Sequence, residues 1–172
     1  MLNGLYKIAL SFGATGWMFG IYILSSKTNP FDLFPLWITG GSFFLISFLV
    51  SLLCLFLARY LGRDEMHSAV KISLVDQSGC FLSLLLLIIT LIAPDNTSFL
   101  ICYVGVFLLH FQTQNQFFNP WFLLMGYHHY RVSTSLGTEI FLISKGPIIR
   151  RPDDCAFDNL RRINNSTFVN LN

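Results

Sequence analysis

The sequence predicts an α-helical membrane protein, a four-helix transmembrane bundle carrying a small α+β unit at its C-terminal end. Three observations predict it. Apolar residues make up 53% of the 172-residue chain and charged residues 12%, against roughly 25% charged in soluble domains. The 18 phenylalanines nearly equal the 11 basic and 9 acidic side chains together. The charges are also clustered, so that residues 8–26, 33–58, 77–94 and 96–130 carry none. A soluble fold this small has more surface than so few charges cover. Disorder needs low hydrophobicity and high net charge, the opposite of this composition. The net charge of +2 does not mark a nucleic-acid binder, and no direct nucleic-acid contact is expected.

A hydrocarbon core of about 30 Å takes about 20 apolar helical residues. The uncharged stretches therefore place four helices at about 5–24, 35–58, 75–93 and 98–117, within a bundle covering 1–118. Pro30, Pro35 and Pro94 stand at the boundaries, where a missing N–H costs least. An open sheet cannot substitute, because lipid offers its edge no partners. Asn119-Pro120 stops the fourth helix, since the residue before proline is pushed out of the helical region. Residues 119–126 then read as an interfacial elbow, with Asn119, Pro120, Trp121, Gly126 and the following Tyr127 at headgroup level. The elbow is either a plain anchor or the setter of the tail's angle.

Residues 127–172 read as the small α+β unit, near the lower size limit for independent folding. Tyr127–Thr134 and Glu139–Lys145 are rich in residues that favour a half-buried pleat, with Ser135-Leu136-Gly137-Thr138 as the turn between them. Residues 148–150 suggest a third short strand. Pro152-Asp153-Asp154 reads as a helix start, with Phe157, Leu160 and Ile163 as its apolar stripe and Arg161 and Arg162 at the cation-favoured end. Residues 166–171 suggest a closing strand.

Orientation follows from Lys and Arg. One predicted side carries Lys7, then Arg59, Arg63 and Lys71 of the second loop, then the six basic residues of the tail; the other carries Lys27. The positive-inside rule puts both termini in the cytoplasm of a multi-pass protein. The segment after Leu24 has no cleavage pattern, so the first helix is expected to be retained. Cys54, Cys80, Cys102 and Cys155 are scattered and no disulfide framework is expected.

Gly13, Gly16 and Gly20 line the first helix at a spacing that lets helices approach closely, either within one subunit or between copies in a homo-oligomer. Gly40-Gly41 marks a kink or a further close approach. His110 is ionisable at membrane depth, a position that suggests a bond across the bundle or a functional role. His128-His129 is an adjacent pair whose side chains face opposite sides of a strand, which argues against a shared metal and for a structural role. No acid–base pair lies within the spans, and there is no G-x-S-x-G, P-loop, H-E-x-x-H or CxxC. No catalytic residue, metal or cofactor is therefore expected, and an enzyme is disfavoured. The pairs Arg150-Arg151 and Arg161-Arg162 offer a docking surface for a partner, or else solvated charge beside anionic headgroups.

The four spans, the string Asn119-Pro120-Trp121-Phe122-Leu123-Leu124-Met125-Gly126-Tyr127-His128-His129-Tyr130 and the strand Glu139-Ile140-Phe141-Leu142-Ile143-Ser144-Lys145 resemble the KwaA family, the membrane subunits of the Kiwa anti-phage system. The likeness covers the whole chain in topology, and its motifs lie within 119–145. The resemblance implies a bacterial inner-membrane protein that works with a soluble DNA-binding partner, KwaB, to sense infection at the membrane and restrain phage DNA replication or late transcription. It brings no catalytic motif. The expected function is a membrane sensor and scaffold that oligomerises and recruits that effector through its tail. A four-span colicin-type immunity protein or a small channel or transporter shares the bare composition.

Overall fold

The computed structural model describes residues 2–26, 34–66, 69–112, 118–134, 137–152, 155 and 157–171. Expectations that fall on Lys27, Pro30, residues 113–117, Ser135, Leu136, Asp153 and Asp154 lie outside them. The chain opens with α1 (Leu2–Thr15) and α2 (Trp17–Ser26), separated by a tight turn at Gly16. It continues with α3 (Leu36–Ala58), β1 (Arg63–Met66), β2 (Ala69–Leu74), α4 (Asp76–Ile92), α5 (Asn96–Gln112) and α6 (Pro120–Leu124). Four strands close it: β3 (Tyr127–Thr134), β4 (Glu139–Lys145), β5 (Phe157–Arg162) and β6 (Thr167–Asn170).

The helices begin where local chemistry starts them. The Pro35 carbonyl accepts from Ile38 and Thr39 at the head of α3. Asp95 Oδ1 accepts from the Ser98 N–H at 2.6 Å and caps α5. Asn119 Oδ1 accepts from Trp121 N at 3.0 Å, with Pro120 in the first turn of α6. Gly126, at φ +80°, ends α6 in the left-handed conformation that glycine adopts without strain.

A four-helix transmembrane bundle is not what these elements build. Among the described residues two helical stretches are long and apolar enough to cross a membrane, Gly4–Ser26 and Leu36–Ala58, each of 23 residues. The third and fourth expected spans, α4 and α5, have 17 residues each. At about 1.5 Å per residue α4 reaches about 25 Å, short of the roughly 30 Å of a hydrocarbon core, and α5 is described as far as Gln112. α4 packs on α2 and α5 on α1. The third expected span, 75–93, exceeds α4 by its two cap residues, Val75 and Ala93.

The second correction concerns the sheet, which has six strands in the order β1-β5-β6-β4-β3-β2. β4 and β6 run parallel and the other neighbours antiparallel. The expected second loop supplies β1 and β2, so the strand-bearing unit is not confined to 127–172. The alternation of Val70, Ile72 and Leu74 with Lys71 and Ser73 is a strand pattern that the charge count obscured. The helix expected from Pro152 is replaced by β5, paired with β1 on one side and β6 on the other. A three-residue apolar stripe fits a short helix or a short strand, and ladder pairing on both sides decides for the strand. Residues 148–150 form no strand.

The sheet packs on the helical layer. Phe141, Ile143 and Val169 share one core cluster with Tyr6 and Leu10 of α1, Cys54 and Leu55 of α3, and Phe122 of α6. Tyr130, Val132, Leu142, Leu160 and Phe168 form a second cluster with Met66 and Cys155. A third, aromatic cluster of Trp17, Tyr22, Phe99 and Tyr103 joins α2 to α5.

Candidate functional site

A cluster of ionisable side chains lies where β2 hands over to α4. The ladder between β2 and β3 ends at Leu74 opposite Tyr130. The Val75 N–H then donates to the His129 carbonyl at 2.8 Å. Asp76 follows at the sheet's edge, beyond the last paired residue. From there its two carboxylate oxygens reach both faces of β3. His129 N donates to Oδ1 at 2.8 Å and His129 Nδ1 lies 3.0 Å from the same oxygen. His128 Nδ1 lies 2.6 Å from Oδ2. Adjacent histidines on opposite faces thus share one acceptor, an arrangement that strand periodicity alone does not reveal.

The electrostatics settle the protonation states. Burial works to raise the Asp76 pKa, but the hydrogen bonds from His129 and His128 outweigh it and hold the carboxyl below its ordinary range. Burial pushes the His129 imidazole below its ordinary value, against the opposing pull of Asp76. His129 is therefore neutral near pH 7 with Nδ1–H toward the carboxylate. Its bare Nε2 is buried without a partner among the described residues, and the imidazole centroid lies 5.0 Å from that of the Phe118 ring and 6.0 Å from that of the Phe141 ring.

An imidazole oriented by a carboxylate is the pairing used for general bases. No Ser, Thr or Cys is hydrogen-bonded to either ring among the described residues. No group of three or more His, Cys, Asp or Glu that could hold a metal occurs among them either, because both imidazoles turn Nδ1 onto Asp76 rather than toward a common centre. The arrangement acts as a clamp that fastens the start of α4 to β3.

A second polar cluster lies beneath it in the helical layer. Ser47 Oγ donates to the Gly13 carbonyl at 2.8 Å and accepts from Trp121 Nε1 at 2.8 Å. Asn119 Nδ2 donates to Ser51 Oγ at 2.9 Å. The residues expected as an elbow are thus tied to α3 by side-chain hydrogen bonds, with Tyr127 buried behind them.

Gly13 and Gly20 sit at close approach between α1–α2 and α3 of the same chain. A Cβ on Gly20 would lie 2.7 Å from the Gly40 carbonyl, and one on Gly13 would lie 2.5 Å from Ser51 Oγ. Gly16 occupies the break between the two helices, where a Cβ would meet Phe12. Gly41 faces open space. His110 is buried on α5 with Nδ1 unpartnered among the described residues. No disulfide joins any of the four cysteines.

Arg150 and Arg151 are exposed after β4. Arg161 lies on β5 and donates to the Leu61 carbonyl at 3.3 Å, while Arg162 donates to Asn165 Oδ1 at 3.0 Å. Asp76 was missed by sequence reasoning. It was legible only as a lone acid ahead of an apolar run, since its partners stand more than fifty positions away.

A protein-family model described as "Anti-phage protein KwaA" matches residues 6–169, nearly the whole chain. No curated protein and no solved structure matches it.

Proposed function

The chain belongs to the KwaA family of anti-phage proteins, and from that premise we propose a membrane-held sensor and scaffold of bacterial anti-phage defence. The observation that carries this reading is the joining of two layers of opposite solvent preference. α3 turns Leu45, Ile46, Leu49, Leu53 and Phe56 outward, an apolar surface that a monomer in water does not leave bare. The same chain then supplies a six-stranded sheet with charged edges. Two spans return the chain to the side it started from, so the positive-inside rule keeps the N-terminus and the sheet in the cytoplasm. α4 packs on α2 and α5 on α1, which broadens the helical layer. Self-association of the chain would run through the outward apolar faces, because Gly13 and Gly20 are occupied within one chain.

The exposed Arg150 and Arg151 after β4 are the docking surface for a soluble DNA-binding effector of the KwaB type; no residue of this chain needs to contact nucleic acid. Co-purification in mild detergent with the soluble protein encoded beside this one tests the reading. Capture by the native chain, lost in Arg150→Glu/Arg151→Glu with membrane insertion intact, supports it. Protection against phage by a chain that captures nothing removes the scaffold role.

A further inference from the structure

Where α3 ends, the chain turns through Arg59 and the exposed Tyr60. A pocket of about 440 Å³ opens at this point, between the last turns of α3 and Tyr127 and Lys145 of the β3–β4 pair. One wall is apolar, made by Leu52, Leu55 and Phe56. The rim is cationic. The Arg59 guanidinium lies 5.8 Å from the Phe56 ring centroid and Lys145 Nζ 5.8 Å from that of Tyr127. No acidic residue lines the pocket, and neither cation makes an ion pair among the described residues. Burial raises the Tyr127 pKa against the opposing pull of Arg59, so its hydroxyl keeps its proton as a donor.

Two uncompensated cations and a hydroxyl donor call for an anion. The apolar wall beside them, at the end of a span, calls for hydrocarbon on the same molecule. A free phosphate would satisfy the rim and leave the wall bare. We infer that this pocket binds one anionic phospholipid, its phosphate between Arg59 and Lys145 and an acyl chain along Leu52, Leu55 and Phe56. The inference rests on the membrane reading above. Such basic pockets at the cytoplasmic end of membrane helices suit anionic headgroups.

The test reconstitutes the full chain in phosphatidylcholine vesicles carrying a trace of spin-labelled phosphatidylglycerol or spin-labelled phosphatidylcholine, and reads the motionally restricted lipid fraction. The native chain should prefer phosphatidylglycerol, and Arg59→Gln/Lys145→Gln should lower that preference about tenfold. Arg59→Lys/Lys145→Arg should retain it, as should Arg150→Gln/Arg151→Gln, whose positions lie outside the pocket. Equal preference in the native chain and the Gln pair overturns the site. Displacement of the lipid by millimolar inorganic phosphate overturns the acyl part of the assignment. A chain that stays in the aqueous phase with both vesicles refutes the membrane reading and the inference with it; one that inserts without preference refutes the inference alone.

Discussion

Asp76 closes an N–H and two imidazoles at once. Asp76→Ala would leave the His129 N–H and Nδ1–H without acceptors in a buried place. The expected cost is about 3 kcal/mol of stability, read as a lower thermal midpoint in detergent. A midpoint unchanged within error would show that water replaces the carboxylate freely. The pH dependence has a defined sign. The folded His129 pKa lies below its ordinary value, so the unfolded chain takes up a proton that the folded one refuses. Stability from this site is full above about pH 6.5 and falls as the pH descends. Asp76, also held below its ordinary range, adds a second loss below about pH 4. Amide protection on β3 should therefore fall as the pH drops below about 6.5, and His129→Gln should flatten that fall. A native slope surviving in the Gln variant would place the titrating group elsewhere. The histidine pair was visible in the sequence, as was the placing of its two residues on one strand. The shared carboxylate was not visible, because it depends on where a strand from another part of the chain stops.

Elements were legible where a pattern is local and long. α3 runs Leu36–Ala58, and β3 and β4 occupy Tyr127–Thr134 and Glu139–Lys145, because apolar length and pleat-favouring residues state themselves within one window. β5 was misread and β1 and β2 were passed over, because each is short and is held by partners distant in sequence. The glycines divide in the same way. Spacing marked Gly20 for close packing, and the structure sets it against Gly40 of α3. A Cβ on Gly20 would meet the Phe44 ring at 2.6 Å and a backbone carbonyl at 2.7 Å, and a carbonyl cannot swing aside. Gly20→Val should cost about 1–3 kcal/mol by overpacking. Gly41→Ala, with nothing within 4 Å of the added carbon, should be neutral or slightly stabilising. Thermal unfolding of the two variants side by side decides this, and equal effects would refute the contact assigned to Gly20.

At the scale of the molecule, the chain crosses between its two layers more than once, and this explains why composition divided it in the wrong place. The low-charge stretch and the charged tail suggested a bundle followed by an appendage. Instead β1 and β2 leave the helical layer early and become the two outer strands of the sheet, while α4 and α5 return to the helices before β3 begins. One core cluster runs from Tyr6 to Val169, so the sheet's inner face is buried by α1, α3 and α6 rather than by itself. A fragment of residues 119–172 consequently lacks the β1 partner of β5, the β2 partner of β3 and the α1 and α3 side chains over Phe141 and Ile143. It exposes two unpaired edges and an apolar face, the combination that favours association over folding. The expected outcome for this fragment in solution is no cooperative unfolding transition and little amide protection on β4. The same amides in the full chain should be among the slowest to exchange, because they lie at the centre of the ladder. A fragment that unfolds cooperatively with β4 protected would make the tail an independent domain. The helical layer would then be an anchor for the sheet rather than part of its core.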